Sequence, residues 1–142
     1  PAPTIDLSGQ LSLKELAALT AQAKLFVGVD SAPMHVAAAM GTPVVAIFGP
    51  SGDREWGPWG DGHRVVASMT HPCRPCGMAG CNDSKLSACL TTLPVAQVLA
   101  ACEALLASPP APCPGQGVTE VRRVAAPFID GPALGRPGGG AA

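Results

Sequence analysis

Aromatic and charged side chains are scarce in this sequence. It has no tyrosine, three phenylalanines and two tryptophans, and only 13% of its residues are charged, with a formal net charge of −1. Proteins that hold nucleic acid by its phosphates need clustered lysine and arginine, so the composition argues against a nucleic-acid partner. No apolar run approaches the ~18 residues of a membrane-spanning helix, and no basic-then-apolar segment opens the chain. Neither a membrane span nor a secretion signal is predicted.

Two kinds of ligand-binding sequence are also missing. The glycines near the apolar segments, Gly28, Gly41 and Gly49, are too scattered to form a glycine-rich phosphate loop. Clustered carboxylates of the kind that hold magnesium are absent around Asp30. The sequence therefore predicts neither a P-loop nor a resident metal ion at that position.

The start of the first helix is marked clearly. Ser12 followed by Glu15 is a capping box, in which each side chain bonds the backbone N–H of the other residue. Leu11 and Leu16 have the spacing of a hydrophobic staple across the same helix start. These signals predict a helix over residues 13–23.

Short apolar runs alternate with helical patterns along the rest of residues 1–107. The expected strands are residues 25–29, 44–48 and 64–67, and the expected helices after the first are residues 33–40 and 94–107. The continuous apolar runs are typical of strands buried on both faces, and Gly41 is the expected C-cap of the second helix. The alternation predicts an α/β fold, a Rossmann-like parallel sheet with flanking helices.

The last 35 residues differ in composition. Fourteen of residues 108–142 are Gly or Pro, seven of each, so a disordered tail is predicted there. The chain opens at Pro1 with a short lead into its first helix, and we expect it to be a piece of a longer protein.

Residues 30–35 occupy a position where parallel sheets bind ligands. They follow a strand and open a helix, and ligands of open α/β sheets sit beyond the carboxyl ends of strands. Asp30 or Ser31 can cap the helix and Pro33 suits its first turn, while free N–H groups there attract an anion, expected to be a phosphate. His35 can donate to a phosphate or a sugar hydroxyl. Taken alone, the segment also fits an ordinary helix start.

The whole segment FVGVDSAPMHVAAAMGTPVVAIFGPS, followed by WGPWG and a cysteine-bearing loop, resembles the C-terminal domain of the lipopolysaccharide heptosyltransferases. These form glycosyltransferase family nine, and the likeness, over residues 4–107, is greatest to the heptosyltransferase III type. It implies the C-terminal half of a GT-B enzyme of two Rossmann-like domains. The implied reaction is inverting transfer of heptose from ADP-heptose to the lipopolysaccharide inner core.

The resemblance also implies roles for individual residues. Asp30 matches the aspartate near the heptose hydroxyls, Ser31 and Ala32 match the pair whose N–H groups hold the diphosphate, and His35 matches the histidine beside phosphate and sugar. Leu11 matches an apolar residue packed on the base. Many family members have Thr-Gly where Ser31-Ala32 stands, so Ala32 brings a Cβ near the phosphate. The predicted donor site comprises Leu11, Asp30, Ser31, Ala32, Pro33, Met34 and His35.

No catalytic residue is predicted within this chain. The resemblance places the base that deprotonates the acceptor in the N-terminal domain, which would also bring the lipopolysaccharide core acceptor, and it implies no cofactor. The expected location is cytoplasmic, with peripheral association at the inner face of the bacterial inner membrane left open. Two other functions stay open: another GT-B enzyme such as a nucleotide-sugar epimerase, or a non-catalytic nucleotide-binding module.

Cysteines and tryptophans cluster after the second strand. Cys73, Cys76, Cys81 and Cys89 have the spacing C-x2-C-x4-C-x7-C, which leaves open a tetrahedral zinc site, reduced packing thiols, or a disulfide. His71 could join a metal site. Trp56 and Trp59 are interpreted either as an aromatic wall of the interdomain cleft or as packing within their own loop.

Overall fold

A computed structural model describes residues 2–107, apart from the side chain of Asp83. Within them, three parallel strands form one sheet in the order β1-β2-β3. In chain order the elements are α1 (Leu13–Gln22), β1 (Phe26–Val29), α2 (Ala32–Ala39), β2 (Val44–Phe48), α3 (Asp53–Trp56), β3 (Arg64–Ala67), a 3₁₀ turn (Cys81–Asp83), α4 (Ala88–Thr91) and α5 (Val95–Ala107). The predicted parallel α/β architecture is confirmed, while the short helices α3 and α4 were not predicted.

The predicted capping box is present at the start of α1. The Glu15 backbone N–H donates to the Ser12 hydroxyl at 3.4 Å, and the Ser12 backbone N–H donates to the Glu15 carboxylate at 2.8 Å. The Ser12 hydroxyl also donates to the same carboxylate at 2.7 Å. Three hydrogen bonds therefore fix the direction in which the preceding chain enters α1.

Helix α2 ends one residue earlier than predicted, with Met40 as its C-cap and Gly41 as the residue after the cap. Gly41 has a φ of 76°, and its N–H donates to the carbonyl of Ala38. The Thr42 N–H donates to the carbonyl of Ala37, which completes a Schellman motif. The Thr42 hydroxyl then donates to the Thr20 carbonyl at 2.6 Å and joins this turn to the end of α1.

The core lies between α2 and one face of the sheet. Met34, Ala37 and Ala38 of α2 pack against side chains of β2 that alternate along the strand. Phe26 and Ala67, from the neighbouring strands, pack at the edge of this cluster. The buried members from β2 are Val44, Ala46 and Phe48.

The other face of the sheet is only partly covered. Helix α5 packs along β2 and β3, and Val45 and Val66 are buried. The prediction that residues 25–29 form a strand buried on both faces is wrong, because Val27 and Val29 are 46% and 52% exposed. Strand β1 lies at the edge of the sheet that residues 2–107 form, and cover on this face stops short of it.

Within residues 2–107, no helix is long and apolar enough to cross a membrane. The predicted tail, residues 108–142, lies outside the described part of the chain.

Candidate functional site

A cavity of about 490 Å³ lies where the chain before α1 meets the start of α2. We call it the α1–α2 cavity. Leu11, from the predicted staple, and Ala32 and Pro33, from the first turn of α2, lie in its wall. The structure therefore brings Leu11 together with two predicted site residues that lie about twenty positions further along the chain. The rest of the wall is formed by Leu7, Ser8, Gly9, Ser12, Leu13 and Leu16.

A tight turn forms one rim of this cavity. The Ser8 side chain and backbone N–H donate hydrogen bonds that lower the pKa of Asp6, and the backbone bond is 2.9 Å long. The Gln10 N–H donates to the Leu7 carbonyl, and Gly9 has a φ of 68°, which favours glycine. Local hydrogen bonds thus hold this rim in place.

The start of α2 differs from the prediction. Ser31 is the N-cap, but neither its side chain nor that of Asp30 caps the helix. The Ser31 hydroxyl instead donates to the Val29 carbonyl at 3.1 Å. Because the side-chain cap is absent, the first N–H groups of α2 keep their capacity to bind an anion.

Asp30 and His35 flank this helix start. Both are half-buried, and neither lines the α1–α2 cavity. Among the described residues, neither side chain has a hydrogen-bond or ion-pair partner within the protein. Each is therefore available for a ligand.

Met34 has a different position. It is fully buried in the core between α2 and the sheet, and its N–H donates to the Ser31 carbonyl. Its side chain offers no surface to a donor, because the residue lies on the helix face that meets β2. Met34 belongs to the predicted site by sequence position only.

A second cavity, of about 350 Å³, lies at the carboxyl ends of β2 and β3. We call it the cysteine cavity because Cys73, Cys76, Cys81 and Cys89 all line it. Pro50, which follows the end of β2, also lines this cavity. The described cysteines are all free thiols. Across residues 2–107, no three His, Cys, Asp or Glu side chains are grouped closely enough to hold a metal ion.

Arg74 fixes the loop that forms the cysteine cavity. Its guanidinium donates to the Gly49 carbonyl at 2.5 Å, to the Ser68 carbonyl at 3.3 Å and to the Asp53 carboxylate at 3.2 Å. The Arg74 side chain is 9% exposed. One side chain therefore ties the ends of β2 and β3 to α3, an arrangement that the sequence did not indicate.

A hydroxyl–imidazole pair closes the end of β3. The buried Ser68 hydroxyl lies 2.6 Å from Nδ1 of His71, and the Thr70 hydroxyl lies 3.1 Å from that of Ser68. His71 also lines the cysteine cavity. These bonds orient the ring, although sequence spacing had singled out only the histidine.

The segment that carries Trp56 and Trp59, which we call the tryptophan loop, does not form a wall of either cavity. Trp59 is 89% exposed and Trp56 60% exposed, so the loop-packing interpretation is not supported. His63 accepts a hydrogen bond at Nδ1 from the Val44 N–H, and its Nε2 lies 3.2 Å from the Trp59 carbonyl. Since Val44 opens β2, Trp59 lies near the amino edge of the sheet, opposite the two cavities.

Comparison with known proteins gives a consistent result. The profile of glycosyltransferase family 9 (heptosyltransferase) matches residues 1–87. Lipopolysaccharide heptosyltransferase 3 of Escherichia coli is 36% identical over 106 residues, which are 75% of this chain and 30% of that protein. Lipopolysaccharide heptosyltransferase 2 of Salmonella typhimurium is 38% identical over 65 residues, 46% of this chain and 19% of that protein.

A solved structure agrees with these relatives. It is the crystal structure of the glycosyl transferase family 9 from Veillonella parvula, with a TM-score of 0.54 and 30% identity. The match covers 69% of this chain and 28% of that one. The chain spans about 30% of the length of the first of these relatives. On the profile match, which covers more than half of its length, the chain belongs to glycosyltransferase family 9, the heptosyltransferases.

Proposed function

We propose that this chain is the donor-binding part of an inverting glycosyltransferase that transfers heptose from ADP-heptose to the lipopolysaccharide inner core. The observation that carries the proposal is the convergence of Leu11 with Ala32 and Pro33 in the α1–α2 cavity. An apolar wall thereby meets a helix start that has no side-chain cap. A nucleoside diphosphate has the same two parts, an apolar base and an anionic diphosphate.

The base end is assigned to the leucines of the wall. Leu11 and Leu16 lie in the cavity on either side of the Ser12 cap. Their aliphatic side chains offer a face on which a purine can pack without hydrogen bonds. The capping box supports this face, because it fixes the path of the chain that carries Leu11.

The diphosphate end is assigned to the backbone at the start of α2. Pro33 has no N–H, so the N–H groups of Ser31 and Ala32 are the donors assigned to the phosphates. The helix dipole adds partial positive charge at the same end. Ala32 carries a Cβ where many family members have glycine, so we expect the diphosphate to approach along a slightly different line.

Asp30 and His35 are assigned to the sugar side. The Asp30 carboxylate can accept hydrogen bonds from heptose hydroxyls, and the His35 imidazole can donate to a phosphate oxygen. As the glycosidic bond to the diphosphate breaks, negative charge grows on the leaving group, and His35 with the helix N–H groups would stabilise it. We assign no cofactor to this step.

The acceptor side is assigned outside these residues. A transfer needs a base within hydrogen-bond reach of the acceptor hydroxyl, and we place that base in an N-terminal domain of a GT-B enzyme. The lipopolysaccharide core acceptor would bind there too, in the cytoplasm and at the inner membrane face. The 142-residue chain alone should accordingly transfer no heptose.

Calorimetry with ADP and AMP tests the donor site. The chain should bind ADP at least about tenfold more tightly than AMP, since one further charge-assisted hydrogen bond contributes roughly 1.5–3 kcal/mol. Ala32→Pro removes one N–H at a first helical position that tolerates proline, and it should abolish the preference for ADP. Leu11→Ala should weaken the binding of ADP and AMP equally, because both nucleotides carry the same adenine base.

Leu19→Ala is the matched control. Leu19 also lies on α1, but it is 45% exposed and outside the cavity, so nucleotide binding should be unchanged. Equal affinity for AMP and ADP in the unmodified chain would remove the diphosphate assignment. A loss on Leu19→Ala as large as on Leu11→Ala would remove the base assignment.

A further inference from the structure

Thiols are concentrated at one place that the proposed function does not use. Of the five cysteines that the structure describes, four line the cysteine cavity, and Cys102 lies on α5. Three of the four are exposed and Cys89 is buried. The fold has therefore brought a set of soft ligands to one small space at the carboxyl edge of the sheet.

We propose that the cysteine cavity binds one thiophilic divalent metal ion, with zinc as the best fit, through the thiolates of Cys73, Cys76, Cys81 and Cys89. Four sulfur ligands are the commonest structural zinc set, and thiolates favour zinc over the hard cations that oxygen ligands select. Each thiol that ligates the ion releases its proton to solvent. No electron transfer is involved.

The first pair of ligands is held by the ends of two strands. Arg74, between Cys73 and Cys76, bonds the carbonyls of Gly49 and Ser68. The Gly77 N–H donates to the Pro50 carbonyl at 2.9 Å. The C-x2-C segment is thereby fixed to the carboxyl ends of β2 and β3, while its two sulfur atoms stay at the cavity wall.

The second pair is held by a different set of bonds. The Cys81 N–H donates to the Leu86 carbonyl at 2.8 Å, and the Ala88 N–H donates to the Cys81 sulfur at 3.4 Å. An N–H that points at sulfur stabilises thiolate charge. The chain thus folds back so that Cys81 and the buried Cys89 face the same cavity as the first pair.

In the structure the sulfur atoms are spread around the cavity wall. No three potential ligands within residues 2–107 are grouped around one point, so the ion must draw the two pairs together. The pairs belong to segments held by different hydrogen bonds, and the cavity of about 350 Å³ that they line is the space that the ion would close. Binding should therefore be coupled to tightening of residues 73–89, as is usual where a metal completes a loop.

Cobalt titration and metal analysis of the reduced 142-residue chain test the proposal. With Co²⁺ the chain should develop the visible absorption and sulfur-to-metal charge transfer of a tetrahedral thiolate site, saturating at about one ion per chain. Zn²⁺ should displace Co²⁺ and abolish the colour. Zn²⁺ should also slow proteolysis within residues 73–89, and a chelator should reverse that protection.

Substitutions at exposed cysteines avoid damage to the core. Cys73→Ser and Cys81→Ser should each lose most of the cobalt absorption and bind Zn²⁺ at least about tenfold more weakly. Cys102→Ser is the matched control, since it removes a thiol outside the cavity, and it should bind like the unmodified chain.

Three results would overturn the proposal. One is the absence of cobalt absorption in the fully reduced chain. Another is a loss of metal binding in Cys102→Ser as large as the loss in Cys73→Ser or Cys81→Ser. The third is a disulfide within residues 73–89 that persists after mild reduction. None of these readouts involves nucleotides, so the metal site can fail while the donor site stands.

Discussion

The two cavities lie at the same edge of the sheet but are built differently. The α1–α2 cavity is bounded by two regular helices and by a turn that its own hydrogen bonds hold. The cysteine cavity is bounded mainly by an irregular loop that one arginine connects to the strands. A site made from helix ends is fixed by local interactions, whereas a site made from a loop depends on a few long-range bonds.

Removal of Arg74 should give the largest effect that separates the two cavities. Arg74→Ala leaves the Gly49 and Ser68 carbonyls without their charged donor, and should lower the free energy of unfolding by about 3 kcal/mol. Denaturant titration measures that loss. Thiol labelling of the native chain should become faster at the cysteine cavity, while ADP affinity should be unchanged.

Arg54→Ala is the control for that experiment. Arg54 lies on α3 close to the same loop, but it is exposed, so its removal should change stability by less than about 0.5 kcal/mol. If Arg54→Ala lost as much stability as Arg74→Ala, the bonds of Arg74 would not be the cause of its effect. A loss of ADP affinity in Arg74→Ala would contradict the separation of the two cavities.

Gly49→Ala should give an intermediate effect on the same side. A Cβ at Gly49 would lie 2.7 Å from two carbons of the Leu90 side chain, so that side chain or α4 must shift, at a cost of about 2 kcal/mol in unfolding free energy. In the double variant with Leu90→Ala, the destabilisation should be smaller than the sum of the two single effects. Strict additivity would mean that the contact with Leu90 is not the cause.

Ser12→Ala should give the smallest effect, on the other cavity. Loss of the capping box should cost about 1 kcal/mol in unfolding free energy and weaken ADP binding through Leu11. Ser87→Ala is the matched control, because Ser87 is the N-cap of α4 but makes no side-chain cap bond. It should leave both measurements unchanged.

The same cap predicts a pH dependence. The Ser12 hydroxyl, followed by the Ser12 backbone N–H, lowers the pKa of Glu15 below its ordinary value of 4.5. The stabilisation is therefore complete above pH 4.5 and is lost as the pH falls through the lowered pKa. The stability difference between the unmodified chain and Ser12→Ala should shrink over that range, and a difference that grows in acid would contradict it.

Local signals carried most of the correct sequence predictions. Ser12 and Glu15 are three residues apart, and Gly41 ends α2 by its own backbone conformation, so both features were recognised from neighbouring letters. The cover over Val27 and Val29 depends on what packs on a sheet face, which the apolar run itself does not encode. Arg74 was missed because its partners are 6, 21 and 25 positions away.

The residues of the candidate sites also divide into those that local sequence signals predict and those that depend on contacts between distant parts of the chain. Leu11 and the start of α2 follow from helix signals together with the family resemblance, and the structure brings Leu11, Ala32 and Pro33 to one cavity. The interior position of Met34 follows from helix geometry, which places every third or fourth residue on the sheet side. The Ser68–His71 pair required a tertiary view, because the spacing of one serine and one histidine in a loop indicates nothing by itself.

His63 makes one attachment of the sheet depend on a single imidazole ring. Its Nδ1 accepts the Val44 N–H, so the ring proton is on Nε2, where it donates to the Trp59 carbonyl. One ring therefore connects the first residue of β2 with the tryptophan loop, using one nitrogen as acceptor and the other as donor. Neither cavity includes His63 in its wall, so the attachment of the tryptophan loop to the amino edge of the sheet is separate from both candidate sites.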